Sequence, residues 1–258
     1  MLSAITNVRS PVSDKTIESY HVVINGNMIT EITPQSQHPP ANMPTFDLRG
    51  GWLVSGFIDL QVNGGGGALF NNDPTPDGLA QIVAAHRRQG TAGLLATVIT
   101  DDAEIRRAAS AAVAAQISAG LPGLLGVHFE GPFLNPAKAG VHDPRHIRRP
   151  TASALADLMD DAAPVLAAGG KVLLTLAPEL FDPADLRRLA DSGVILAAGH
   201  SAATYDEAMR GFAAGVTGVT HLFNAMTGLE SRAPGLVGAA LDSPEVWCGV
   251  IADGLHVH

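Results

Sequence analysis

The sequence predicts an α/β protein, a (β/α)8 TIM-like barrel preceded by a small β region. Two observations carry this reading. From Gly56 onward, short apolar runs alternate with alanine-rich helical stretches, the pattern of repeated βα units, until seven apolar runs have passed. No G-x-G-x-x-G opens a helix after the first run, and the glycines at 64–67 lack that spacing, which argues against an open dinucleotide-binding sheet.

Taken in order, residues 1–55 read as the N-terminal part of a small β domain. Within them HVVINGNMITEI is a hairpin turning at Asn25-Gly26-Asn27, and TPQSQHPPANMP is a polar, proline-bearing loop. Residues 56–258 form the barrel. Its expected strands are GFIDLQVN, TAGLLATVIT, LLGVHFEG, KVLLTLAPE, GVILAAGHS, GVTGVTHLFNA and WCGVIADGLHV. The segments DGLAQIVAAHRRQG, AEIRRAASAAVAAQISAG, ASALADLMDDAAPVLAAGG, PADLRRLADSG and TYDEAMRGFAAG read as helices, several closing on glycine. Eight strands close such a barrel, and the sequence stops at His258, just past the seventh. The expectation is a piece of a longer protein with its C-terminal end missing.

Composition narrows the function classes. With 258 residues, 46% hydrophobic and 16% charged, the chain can bury a substantial core. A net charge of -9 argues against a nonspecific nucleic-acid binder, which needs a cationic surplus. No apolar run approaches the roughly 20 residues of a membrane-spanning helix. The single cysteine, Cys248, forms no internal disulfide, and MLSAITNVRS lacks the basic and apolar regions of a secretory signal, so the cytoplasm is the expected location.

In such a barrel the chemistry sits where strands meet their following loops, so polar residues ending apolar runs are the informative ones. Glu130 ends GVHFE, His200 ends ILAAGH, His221 follows GVT, and His256 ends IADGLH. Two histidines and a carboxylate suit a catalytic divalent ion, which polarises a carbonyl and lowers the pKa of bound water. Taken singly, each also reads as an ordinary rim residue; four at equivalent strand ends favour the site. His128 shares a strand face with Glu130 and reads as structural. His142 lies in the loop AKAGVHDP, either swinging over a substrate or standing exposed as a spectator. Arg232 suits a phosphate or carboxylate, with a solvated surface charge as the alternative, and RHIRRP at 145–150 reads as a solvated loop, with an anion contact as the alternative.

The segments GFIDLQVNGGGG, HFEGPFLNPAKAGVHDP, AGHSAATYDEA, THLFNAM followed by R-x-P-G, and IADGLHVH, in this order, resemble the N-acetylglucosamine-6-phosphate deacetylases of the amidohydrolase superfamily. The resemblance spans nearly the whole chain. It implies a distorted (β/α)8 barrel with a small β-sandwich built from both chain termini. It implies one divalent ion, zinc or iron, held by Glu130, His200 and His221. Gln61-Val62-Asn63 stands where many metal-dependent hydrolases carry His-x-His, so Gln61 and Asn63 become weak neutral ligands or hydrogen-bond partners of ligands.

By the same resemblance, His256 polarises or orients the N-acetyl carbonyl. His142, Asn224, the Ala225 backbone and Arg232 contact the sugar phosphate, and Arg232 reaches a neighbouring subunit's substrate, implying a homodimer. The implied reaction cleaves N-acetylglucosamine 6-phosphate to glucosamine 6-phosphate and acetate, as in amino-sugar catabolism and cell-wall recycling. Its general base is an aspartate on the eighth strand, which nothing in residues 1–258 matches; Asp253, on the seventh, reads as structural. Two alternatives stand beside this: a dihydroorotase-like or deaminase-like amidohydrolase, disfavoured by Gln61 and Asn63, and a noncatalytic sugar-phosphate binder, favoured by the unmatched base.

Overall fold

The computed structural model describes residues 2–13, 16–37 and 43–258. Residues 38–42 of the expected proline-bearing loop lie outside the described residues. The chain divides into two compact units, Met1–Gly56 and Phe57–His258.

The first unit is a four-stranded sheet of β1 (Leu2–Ser13), β2 (Thr16–Asn25), β3 (Met28–Pro34) and β4 (Thr45–Asp47), in the order β3-β2-β1-β4. The hairpin expected at Asn25-Gly26-Asn27 joins β2 to β3, with Asn25 opposite Met28 and Gly26 at φ +63°. That left-handed conformation is what a two-residue turn between twisted strands demands. β1 was not expected. It pairs antiparallel with β2 and parallel with β4, and Ala4, Val8, Val22 and Val23 are buried.

The second unit is built on seven parallel strands: β5 (Phe57–Val62), β8 (Thr91–Ile99), β9 (Leu124–Glu130), β10 (Lys171–Leu176), β11 (Ile195–Ala198), β12 (Val216–Val219) and β13 (Trp247–Cys248). Their order is β13-β12-β11-β10-β9-β8-β5, so each strand lies beside its predecessor as in a barrel wall. A short pair, β6 (Gly64–Gly65) and β7 (Ala68–Leu69), decorates the loop after β5. The expected helices are α1 (Pro76–Arg87), α2 (Ala103–Ser118), α3 (Ala152–Ala167), α4 (Pro183–Asp191) and α5 (Tyr205–Ala213), joined by an unexpected α6 (Gly235–Leu241).

Local sequence explains the helix starts. The Thr75 and Thr151 hydroxyls accept the Gly78 and Ala154 N–H groups, and Thr204 with Glu207 closes a reciprocal capping box. The last strands end earlier than expected. GVTGVTHLFNA gives a strand only over Val216–Val219, because the backbone turns left-handed at His221, Phe223 and Ala225.

Strand alternation sorts the interior. Val127 and Phe129 of β9, Leu174 and Leu176 of β10, and Leu94, Ala96 and Val98 of β8 join helix residues such as Leu79, Val113 and Leu158 in the main core. The opposite alternation gives a second apolar layer, Leu95, Leu173 and Ala197 with Leu60 and Trp247. Further along the same strand faces the side chains become polar: Thr97 and His128, then Glu130. Trp247 lies so close over Gly218 that a Cβ there would overlap the indole. Between helices, Arg106 of α2 pairs with the buried Asp161 of α3 at 2.6 Å.

Candidate metal centre

Glu130 is the last residue of β9, His200 and His221 lie just beyond β11 and β12, and Gln61 lies in β5. All three candidate ligands are buried. Their side chains converge: Glu130 Oε1 is 3.1 Å from His200 Nε2 and 3.1 Å from His221 Nε2, and the two Nε2 atoms are 3.0 Å apart. The Gln61 amide donates to the same Glu130 oxygen at 2.9 Å. His200 and His221 sit at φ +47° and +36°, a cost carried where the chain aims a side chain it needs.

The donor set fits a divalent cation. His200 Nδ1 donates to the Lys138 carbonyl at 2.8 Å, so in the neutral ring Nε2 presents a lone pair to the cluster. That lone pair meets a carboxylate oxygen and a second imidazole nitrogen, and one shared proton relieves only one of the three close pairs. Donors at zinc's usual 2.0–2.1 Å stand roughly 3.3 Å apart in a tetrahedron, close to the spacing found. Burial works to raise the Glu130 pKa, but the surrounding imidazoles of His142, His200 and His221 outweigh it and hold the carboxyl well below its ordinary range.

His142 is only 2% exposed, which removes the reading of a solvent-exposed spectator. Its Nδ1 meets the Thr100 hydroxyl at 2.9 Å, and its ring stacks edge-on against His200 with centroids 4.4 Å apart. Its Nε2 is buried, has no hydrogen-bond partner among the described residues, and lies 3.8 Å from Glu130 Oε2. His142 thus belongs to the same cluster. A second group of metal-ligating types, Asp101, Asp102 and His146, is less available: Asp101 already accepts from the Asp102 N–H and the Asn71 amide.

The remaining sequence candidates lie around this centre or apart from it. Asn63 is half-buried beyond β5. Asn224 is turned back on its own loop, its amide 3.3 Å from the Leu222 carbonyl, and the Ala225 carbonyl accepts the Ser201 N–H. Arg232 is exposed. His256 is exposed too, its Nδ1 2.7 Å from Asp253. The Asp253 carboxyl is pulled down to about 2 by the His256 and Leu255 N–H groups and the His256 ring, so Asp253 serves to hold that histidine.

No family model matches the sequence. Among characterised proteins, the chain is 48% identical over 219 residues to the N-acetylgalactosamine-6-phosphate deacetylase of Shewanella sp. (strain ANA-3), covering 84% of the chain and 54% of the relative. Among solved structures, the N-acetylglucosamine-6-phosphate deacetylase of Pasteurella multocida superposes with a TM-score of 0.90 at 35% identity, over 100% of the chain and 66% of the neighbour. By sequence and by fold the chain is similar to amino-sugar-6-phosphate deacetylases of the N-acetylglucosamine and N-acetylgalactosamine types. A mutant of the Mycobacterium smegmatis deacetylase, solved in complex with N-acetyl-D-glucosamine-6-phosphate, matches with a TM-score of 0.82 at 32% identity, over 100% of the chain and 64% of the neighbour. The chain thus spans about half to two-thirds of the length of the relatives it matches.

Several residues around the centre were not legible in the sequence. Thr100 holds His142 and donates its hydroxyl to the Glu130 carbonyl at 3.0 Å, and Lys138 supplies the carbonyl that orients His200. A cleft of about 510 Å³ beside Lys138 is lined by Tyr205, Thr227, Glu230 and Arg232. Beneath the ligands, both nitrogens of His128 meet threonine hydroxyls, and burial pushes its imidazole down to about 4 despite the nearby Glu130 carboxylate. The available signal was a threonine inside an apolar strand, as in LLATVI and VLLTLA.

Proposed function

We propose that the protein hydrolyses the N-acetyl group of N-acetylglucosamine 6-phosphate to glucosamine 6-phosphate and acetate. The observation carrying this is the convergence of Glu130, His200 and His221 within 3.0–3.1 Å of one another in a chain similar to amino-sugar-phosphate deacetylases. These three residues would hold one divalent ion, zinc or iron. When bound, such an ion supplies Lewis-acid polarisation of the amide and lowers the pKa of water.

The chain's own residues do the rest. Gln61 donates to Glu130 and fixes its carboxylate. The Lys138 carbonyl orients His200. His142, with Nδ1 anchored by Thr100, offers Nε2 to the sugar. His256 is held at Nδ1 by Asp253, which would fix the orientation of its ring toward the acetamide carbonyl. Asn224, the Ala225 backbone and Arg232 would contact the sugar phosphate, with Arg232 acting across a homodimer, and Asn63 would support the metal as a hydrogen-bond partner. The enzyme would work in the cytoplasm. No residue of 1–258 is assigned as the general base.

A second reading is favoured by the 48% identity to a deacetylase of N-acetylgalactosamine 6-phosphate: the 4-epimer is the preferred substrate. Acetate release by the full-length protein, measured on both sugar phosphates and their unphosphorylated sugars, tests both readings. Turnover of a phosphorylated sugar that is lost in Glu130→Gln supports the function, and the faster epimer names the substrate. Equal turnover with and without the phosphate, or none on any of the four, would overturn it.

A further inference from the structure

We propose that His128 is a positioning residue for the metal centre, the middle link of a buried hydrogen-bonded chain that sets the separation of Glu130 and His221. The inference rests on the metal reading above.

The chain begins on β5, where the Val62 N–H donates to Thr97 Oγ1 of β8 at 2.9 Å. Thr97 Oγ1 is 3.2 Å from His128 Nδ1 on β9, and His128 Nε2 is 2.7 Å from Thr175 Oγ1 on β10. Thr175 Oγ1 is 2.7 Å from Thr220 Oγ1, at the end of β12. Thr97, His128 and Thr175 are 0% exposed and Thr220 is 4% exposed, so no link is replaced by bulk water. A neutral imidazole brings one donor and one acceptor, which lets a hydroxyl sit on each side with every group satisfied.

The last link skips a strand. Between Thr175 and Thr220 lies Gly199, at the end of β11, where an added Cβ would come 2.7 Å from Thr175 Cγ2 and 3.2 Å from Thr220 Cβ. The glycine lets the two threonines meet across it. Each end of the chain abuts a member of the centre: Val62 follows Gln61, Gly199 precedes His200, Thr220 precedes His221, and His128 stands two residues before Glu130. Glu130 comes from β9, which β10 separates from the strands that carry His200 and His221, and this chain ties β9, β10 and the end of β12 together one layer beneath the ligands. Partners hydrogen-bonded directly to ligands typically carry about 10–100-fold in metal affinity, and a chain one layer beneath them is expected to act at the lower end of that range.

The test uses the full-length protein stripped of metal and titrated with zinc. Thr175→Val and Thr220→Val keep side-chain volume while removing the link. Each is expected to weaken zinc binding roughly tenfold or more, with the double variant little worse than either alone, because one chain is broken twice. His128→Gln, which keeps a donor and an acceptor, should retain more affinity than His128→Leu. Leu158→Ala, a core variant remote from the chain, is the control: it should lose stability without losing zinc affinity. Threonine variants that are destabilised yet bind zinc as the unaltered protein does would overturn the positioning role alone. An unaltered protein that binds no zinc, iron or manganese would overturn the metal reading, and the inference with it.

Discussion

The Nε2 atoms of His200 and His221 face each other at 3.0 Å with a single Glu130 oxygen 3.1 Å from both. Three electron-rich atoms at such distances are at rest only when something positive lies among them. Chelation is therefore expected to lower the melting temperature of the full-length protein, and zinc to restore it. Zinc at a hundred times its Kd adds about 2.7 kcal/mol. In Glu130→Gln that increment should vanish, which differential scanning calorimetry measures directly.

Gln61 donates to the oxygen that both histidines approach. Gln61→Leu removes a hydrogen bond to a charged group, expected to cost about 1.5–3 kcal/mol in the metal-free protein. Zinc should recover part of the loss, because an ion neutralises the carboxylate that the amide no longer serves. Urea unfolding with and without zinc reads both.

Gly218 leaves no room for a side chain beneath Trp247. Gly218→Ala is expected to destabilise the barrel by about 1–3 kcal/mol through overpacking. Adding Trp247→Leu should return part of that stability, so the double-variant deficit is smaller than the sum of the single ones. Additive losses would mean the clash is relieved elsewhere.

Arg106 pairs with Asp161, whose carboxyl is raised by burial in spite of the guanidinium beside it. Arg106→Leu leaves that carboxylate only the more distant Arg107 guanidinium, at 3.8 Å, and loss of the short charged hydrogen bond is expected to cost about 1.5–3 kcal/mol at neutral pH. The sign with pH follows from the raised folded-state pKa. Protonation favours the folded form, so the deficit is largest above that pKa and shrinks as pH falls through it toward the ordinary carboxylate value. Denaturation midpoints of the variant and parent should converge as pH falls from neutral toward the ordinary carboxylate range. Adding Asp161→Asn should remove the pH dependence.

The parallel sheet was legible because apolar runs and glycine-closed helices are local signals, and all seven expected runs contain a strand in the observed order. Strand-end polarity singled out Glu130, His200 and His221, which the fold brings together. β1 was missed because its residues 2–13 carry no period-two alternation and include Pro11. α6 was missed because GLVGAAL is short and holds two glycines. The burial of His142 and the links among Thr97, His128, Thr175 and Thr220 depend on partners 31 to 47 positions apart, a separation at which a single sequence says nothing about contact. His256 shows the converse: the sequence placed it at a strand end, but β13 stops at Cys248, and His256 is fixed instead by its tie to Asp253 in the turn that follows.

The left-handed backbone at His200 and His221 has a consequence for how this protein can vary over time. Beyond glycine, the residues that accept such a conformation most readily are asparagine, aspartate and histidine, while β-branched side chains are all but barred. Neutral drift at these two positions is thereby steered toward side chains that still offer a nitrogen or oxygen to an ion. The main chain itself narrows the routes by which this centre can be lost.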